Sequence, residues 1–103
     1  MFLLHCGDDY ALHKRPESGL LAGLWEFPHI PGKQDLPQVL EQLEAWGILP
    51  DEVERSSEKT HIFTHVQWHM TGFFIRCRPS GSFRWEDPKA LALPTAFRIF
   101  LDD

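Results

Sequence analysis

The stretch His61-Ile62-Phe63-Thr64-His65-Val66-Gln67-Trp68 gathers two imidazoles, a hydroxyl and two large aromatic rings. Imidazole and hydroxyl groups donate and accept hydrogen bonds, and the rings offer flat apolar faces. Such a set suits binding, and no catalytic group is assigned to it. His61, His65 and His69 recur every four residues, a spacing that on a helix would suggest metal ligands. The β-branched and aromatic neighbours favour strands instead. No Cys or carboxylate lies within the stretch to complete a tetrahedral zinc site. No metal ligand is therefore expected.

These groups need elements to hold them. Val66, Trp68 and Met70 alternate with Gln67, His69 and Thr71, the period of a strand with one buried face. Arms at residues 59–62 and 66–77 are too close for a crossover, so they predict a β-hairpin with Phe63-Thr64-His65 near its tip. That tip lacks the Gly or Asn favoured in tight turns. Binding residues are often carried on loops between rigid strands, which gives the omission a functional reading.

Earlier in the chain, residues 2–6 and 10–14 are short apolar-rich runs separated by Gly7-Asp8-Asp9, which predicts a second hairpin. A loop with Pro16 follows, then a glycine bend that runs into a short strand at residues 24–27, closed by Pro28. A helix is expected over residues 36–46. Asp35 is its N-cap, Pro37 lies in its first turn, Val39, Leu40, Leu43 and Trp46 recur at helical spacing, and Gly47 stops it. Residues 50–58 are polar and predict a surface loop. After the central hairpin come a short strand at residues 83–86, a turn opened by Asp87-Pro88, and a final helix from Pro94-Thr95 with Ala96, Phe97, Ile99, Phe100 and Leu101 on its apolar face. The order implies an α+β fold, a mixed or antiparallel sheet with hairpins packed against two helices.

With 103 residues the chain is long enough for one domain, residues 1–103, and its 43% apolar content can fill a core. No apolar run approaches the roughly 18–20 residues that span a membrane. Met1-Phe2-Leu3-Leu4 is followed at once by His5 and a turn, unlike a signal peptide. A strand expected from the second residue looks cut from a larger protein. Cys6 and Cys77 are too few for a disulfide framework, and both are expected as buried free thiols in a cytoplasmic setting. The net charge of -5 counts against tight binding of nucleic acid by this chain alone. A base-reading domain beside a more basic neighbour remains compatible with it.

Arg15-Pro16 with Gly19-Leu20-Leu21-Ala22-Gly23-Leu24-Trp25-Glu26-Phe27-Pro28, followed further along by Phe63-Thr64-His65, resembles the C-terminal domain of the A/G-specific adenine DNA glycosylases (MutY). The resemblance covers nearly the whole chain. It implies a Nudix-like fold that recognises 8-oxoguanine opposite adenine in double-stranded DNA. It also implies a separate N-terminal helical domain with a 4Fe-4S cluster, absent from this sequence, that flips and excises the adenine. No cofactor is expected in this domain itself. The family's recognition loop carries Phe-Ser-His; here Thr64 keeps the hydroxyl and adds a methyl that restricts χ1.

By this resemblance Phe63 anchors the loop or packs beside the lesion pair, and Thr64 reads the N7/C8 edge. His65 steadies the turn or touches the sugar-phosphate. Lys14, Arg15, Lys59 and His61 border the two motif regions and are weaker candidates for backbone contact. The rival reading is a Nudix hydrolase, which needs G-x5-E-x7-R-E-U-x-E-E-x-G-U to hold magnesium on a diphosphate. Its end falls on Leu40-Glu41-Gln42-Leu43-Glu44-Ala45-Trp46-Gly47-Ile48, with Leu40 in place of the arginine and Ala45 in place of a glutamate. Glu41 and Glu44 are then a solvated helix face. A third reading, a protein-interaction module, would use Trp25 and Trp46 as anchors, but both are expected to face the core.

Overall fold

The computed structural model describes residues 1–19, 21–63, 65–91 and 93–102. β1 (Phe2–Cys6) and β2 (Asp9–Lys14) form the first hairpin, joined by Gly7 at φ 60°, and β3 (Trp25–Glu26) pairs antiparallel with β2. β4 (Pro50–Phe63) and β5 (Val66–Cys77) form the long hairpin, and β6 (Arg84–Glu86) adds to β2. The sheet order is β3-β2-β1-β5-β4, with β1 and β5 parallel and the other pairs antiparallel. The sheet is therefore mixed, as expected.

Phe2, Leu3 and Leu4 of β1 are all fully buried. Successive side chains of a strand point to opposite faces, so a continuous apolar run marks a strand covered on both sides. Phe2 and Leu4 pack with Val39 and Leu43 of α1 (Leu36–Ala45). Leu3 packs with Phe97 of α2 (Thr95–Arg98) and with Phe100 in the 3-10 turn Ile99–Asp102 that continues it. The result is three layers, with a helix on each face of the sheet. Among the described residues no helix is long and apolar enough to cross a membrane.

α1 begins in a full capping box. Asp35 Oδ1 accepts from the Gln38 amide at 3.0 Å, and Gln38 Oε1 accepts from the Asp35 amide at 2.9 Å. Gly47 at φ 73° ends it and lets the Ile48 amide turn back to the Leu43 carbonyl at 2.9 Å. The final helix is only one α turn before it tightens into a 3-10 turn.

Two expectations fail. Residues 50–58 are not a loop but the first part of the 14-residue β4. β4 is an edge strand, where charged side chains are tolerated, and register shifts at Pro50/Glu52 and Val53/Arg55 break its alternation. Its polarity and lost period hid it. Cys6 is exposed, because it ends β1 beside the turn, whereas Cys77 in β5 is buried as expected.

Candidate nucleic-acid interface

The last rung of the long hairpin is Phe63↔Val66, so residues 64 and 65 join its arms. Ile62 and Val66 are apolar yet 70% and 44% exposed, and His65 is exposed beside them. Thr64 lies outside the described residues. Phe63 is half-buried and rests edge-on against Trp68, with ring centroids 4.9 Å apart, while His61 meets Phe63 at 4.6 Å. Trp68 in turn meets Phe97 of α2 at 6.0 Å. A row of rings thus ties the hairpin end to the core.

Behind that row sits a charged cluster assembled by strand register. His13 and Glu26 are direct partners across β2 and β3, so their side chains share a face. Arg15 follows just past β2, and its amide donates to the Leu24 carbonyl at 2.8 Å. The intervening bend also closes through Gly23 donating to the Pro16 carbonyl at 3.0 Å. Gly19 and Gly23 take φ values of 91° and 70°, and Leu21 is carried to φ 58°, a left-handed conformation that only the glycines adopt cheaply. The Glu26 carboxylate is buried and receives Arg15 Nη1 on Oε1 at 2.7 Å. His13 Nε2 stands 2.9 Å from Oε2 and His29 Nδ1 3.3 Å from Oε1. Burial alone would raise the Glu26 pKa, but the approach of His13 and the charges of His29 and Arg15 outweigh it and hold the carboxyl below its ordinary range. Burial pulls the His29 imidazole the other way, below its usual value, against the pull of Glu26.

The Arg15 guanidinium lies over Trp68, 5.1 Å from its centroid, so Glu26, Arg15, Trp68 and Phe63 form one connected chain. Beside it opens a cavity of about 310 Å³ lined by Arg15, His29, Gln34, Gln67 and Trp68, among others. An indole wall with amide, imidazole and guanidinium groups at its rim suits a flat, polar aromatic ring.

The other sequence candidates are placed unevenly. Lys59 lines a separate hollow with Lys33, Thr60 and His69 on the hairpin's flank. Lys14 is exposed with its Nζ 5.5 Å from the Trp25 ring. Arg15, taken as a backbone contact, is committed to Glu26 and Trp68. Trp46 packs on Phe2 and Phe83, at 4.9 Å and 5.2 Å between centroids, and Trp25 is half-buried. Glu41 and Glu44 are exposed on α1 and neither lines the cavity. Among the described residues neither belongs to a group of three side chains able to hold a metal. Two cysteines do not fit a four-thiolate iron–sulfur cluster.

A family model described as a NUDIX domain matches residues 1–103. The chain belongs to the Nudix family. It is also similar to the adenine DNA glycosylase of Mus musculus, 44% identical over 62 residues, which are 54% of this chain and 12% of that protein. The human adenine DNA glycosylase is 40% identical over 67 residues, 59% of this chain and 12% of the relative, and that of Rattus norvegicus is 39% identical over 62. The resemblance drawn from the Arg15–Pro28 and Phe63–His65 motifs is borne out. The match spans only a small part of each relative's length.

The Glu26 cluster was not evident in the sequence because His13 joins the local pair Glu26 and His29 only through the β2–β3 register. The available signal was the hairpin itself: two strands joined by a glycine-punctuated bend bring His13 opposite Glu26.

Proposed function

We propose that this Nudix domain is the lesion-reading part of an adenine DNA glycosylase, and that it recognises 8-oxoguanine paired with adenine in duplex DNA. The observation that carries the reading is the β4–β5 tip, where exposed Ile62, His65 and Val66 project beyond a ring row rooted in the core. An anchored tip of this kind can press on a base pair without paying for its own ordering. The similarity to three adenine DNA glycosylases supports the same reading. Excision of adenine would belong to a separate helical domain holding the 4Fe-4S cluster. The free thiols Cys6 and Cys77 suit a reducing, cytoplasmic compartment.

The lesion differs from guanine in carrying a hydrogen on N7 and an oxygen on C8, whereas guanine N7 only accepts. A fixed acceptor at N7 therefore favours the lesion, and the Thr64 hydroxyl is the acceptor we assign. Phe63 holds the loop, His65 meets the sugar-phosphate, and Lys14 and Lys59 meet flanking phosphates. The test is an NMR titration of the chain at low salt with duplexes that differ only in 8-oxoguanine:A or G:A. Shifts centred on residues 61–68 and larger for the lesion duplex are expected; equal shifts for both would overturn the reading. In the enzyme fused to its catalytic domain, Thr64→Val should lower the preference for the lesion by about fivefold or more, given roughly 1–3 kcal/mol for a good base contact. An unchanged preference would remove Thr64 from the site.

A further inference from the structure

We propose that His13, Glu26 and His29 form a binding site for a divalent transition metal ion, zinc best matching the donor set. One ligand atom from each of the three lies within 4.8 Å of the others, the condition for closing around a single ion. Tetrahedral zinc with bonds of about 2.0–2.1 Å holds its ligand atoms roughly 3.3 Å apart. His13 Nε2 stands 2.9 Å from Glu26 Oε2, near that value, while His29 Nδ1 stands 3.3 Å from the other oxygen, Oε1, so a small rotation of the His29 ring would complete the set. His13 Nε2 is buried, and its near partner Glu26 Oε2, 2.9 Å away, does not meet it in hydrogen-bond geometry. The atom is close to the carboxylate but badly aligned for an N–H···O bond. A shared metal ion would satisfy both atoms.

The surroundings agree with this assignment. Glu26 offers a carboxylate and both histidines a ring nitrogen, donors that zinc takes. Arg15 occupies Oε1 and leaves Oε2 for the ion, as a hydrogen-bonded outer partner commonly does for a ligating carboxylate. The His13 and His29 side chains are 41% and 38% exposed, so an ion can enter from solvent and keep a water in its fourth position. His13 comes from β2, Glu26 from β3 and His29 from the segment after it. The ion would staple these three and, through Arg15, steady the Trp68 wall of the cavity.

The experiment is a titration of the chain with zinc chloride, followed by calorimetry and by imidazole 15N shifts, with cobalt(II) as a spectroscopic stand-in. One zinc per chain is expected, with shifts at His13 and His29 and a tetrahedral cobalt spectrum. His13→Ala and His29→Ala should each weaken binding at least about tenfold, as loss of a direct ligand must exceed the usual 10–100-fold effect of an outer partner. His5→Ala, on β1 and paired with Glu54, should leave zinc binding unchanged. Because both replaced histidines are partly exposed, the variants should fold, and their circular dichroism and amide spectra check that they do. No binding at about 100 μM zinc, or affinity unmoved by His13→Ala and His29→Ala, would overturn the proposal.

Discussion

Glu26 shows how single residues govern this site. A carboxylate this deeply buried is tolerable only with cations and hydrogen-bond donors around it. Arg15 is its closest guanidinium, at 2.7 Å. Arg15→Met should cost about 3 kcal/mol in urea unfolding, because it leaves a buried charge with only imidazoles for company. The double variant Arg15→Met/Glu26→Leu should recover more than half of that loss, since removing both charges also removes the desolvation penalty. A double variant no more stable than the single would show that Arg15 acts through its stacking on Trp68. The cysteines differ for the same reason of solvation. Burial pushes the Cys77 thiol from 9.0 up to about 11, while Cys6 is exposed. At pH 8 iodoacetamide should therefore label Cys6 and leave Cys77 unmodified until the chain unfolds. The folded state holds the Cys77 proton more tightly than the unfolded chain does. Its contribution to stability is thus full below about pH 9 and lost as the pH rises through about 11.

Among the elements, β5 bears most directly on the site, since it pairs with both β1 and β4 and supplies Trp68. Gly72 is buried within it, and an added Cβ would stand 2.6 Å from Phe100 Cε1 and 2.8 Å from Leu3 Cδ1. Both neighbours are fully buried and cannot swing aside. Gly72→Ala should therefore destabilise the fold by about 1–3 kcal/mol, the usual cost of overpacking, measured as a lowered urea midpoint. A wild-type midpoint would mean that α2 shifts freely on the sheet. β5 was legible in the sequence from end to end because its alternation survives from Val66 to Met70 and an apolar run follows. α1 was legible because its cap, its period and its stopping glycine agree. The start of β4 was not, since an edge strand with two register shifts has no reason to alternate. Nor was the Glu26 cluster, because His13 reaches Glu26 only across a strand pair. Local period reveals an element; it does not reveal which elements meet.

At the scale of the whole molecule, charge decides how the domain can work. With a net charge of -5 it cannot gather DNA by counterion release as a basic domain would. Its cations near the proposed interface are sparse, with Lys14 and Lys59 the lysines that border the two motif regions. Arg15 points its charge inward at Glu26. Each phosphate neutralised contributes about -0.9 to the slope of log K against log salt, so contacts by these two lysines predict a slope of about -2. The measurement is fluorescence anisotropy with a labelled 8-oxoguanine:A duplex across a salt series. Lys59→Gln should flatten the slope by about one, while leaving the ratio of lesion to guanine affinity unchanged, because a phosphate contact carries no base information. A slope steeper than about -4 would reveal further cations at work. A Lys59→Gln variant that loses lesion preference would place Lys59 on the base instead. Weak, shallow-sloped binding with selectivity intact is what the proposed lesion reader would need if a tethered partner supplied the grip, because its own affinity would then add discrimination without holding the assembly on undamaged DNA.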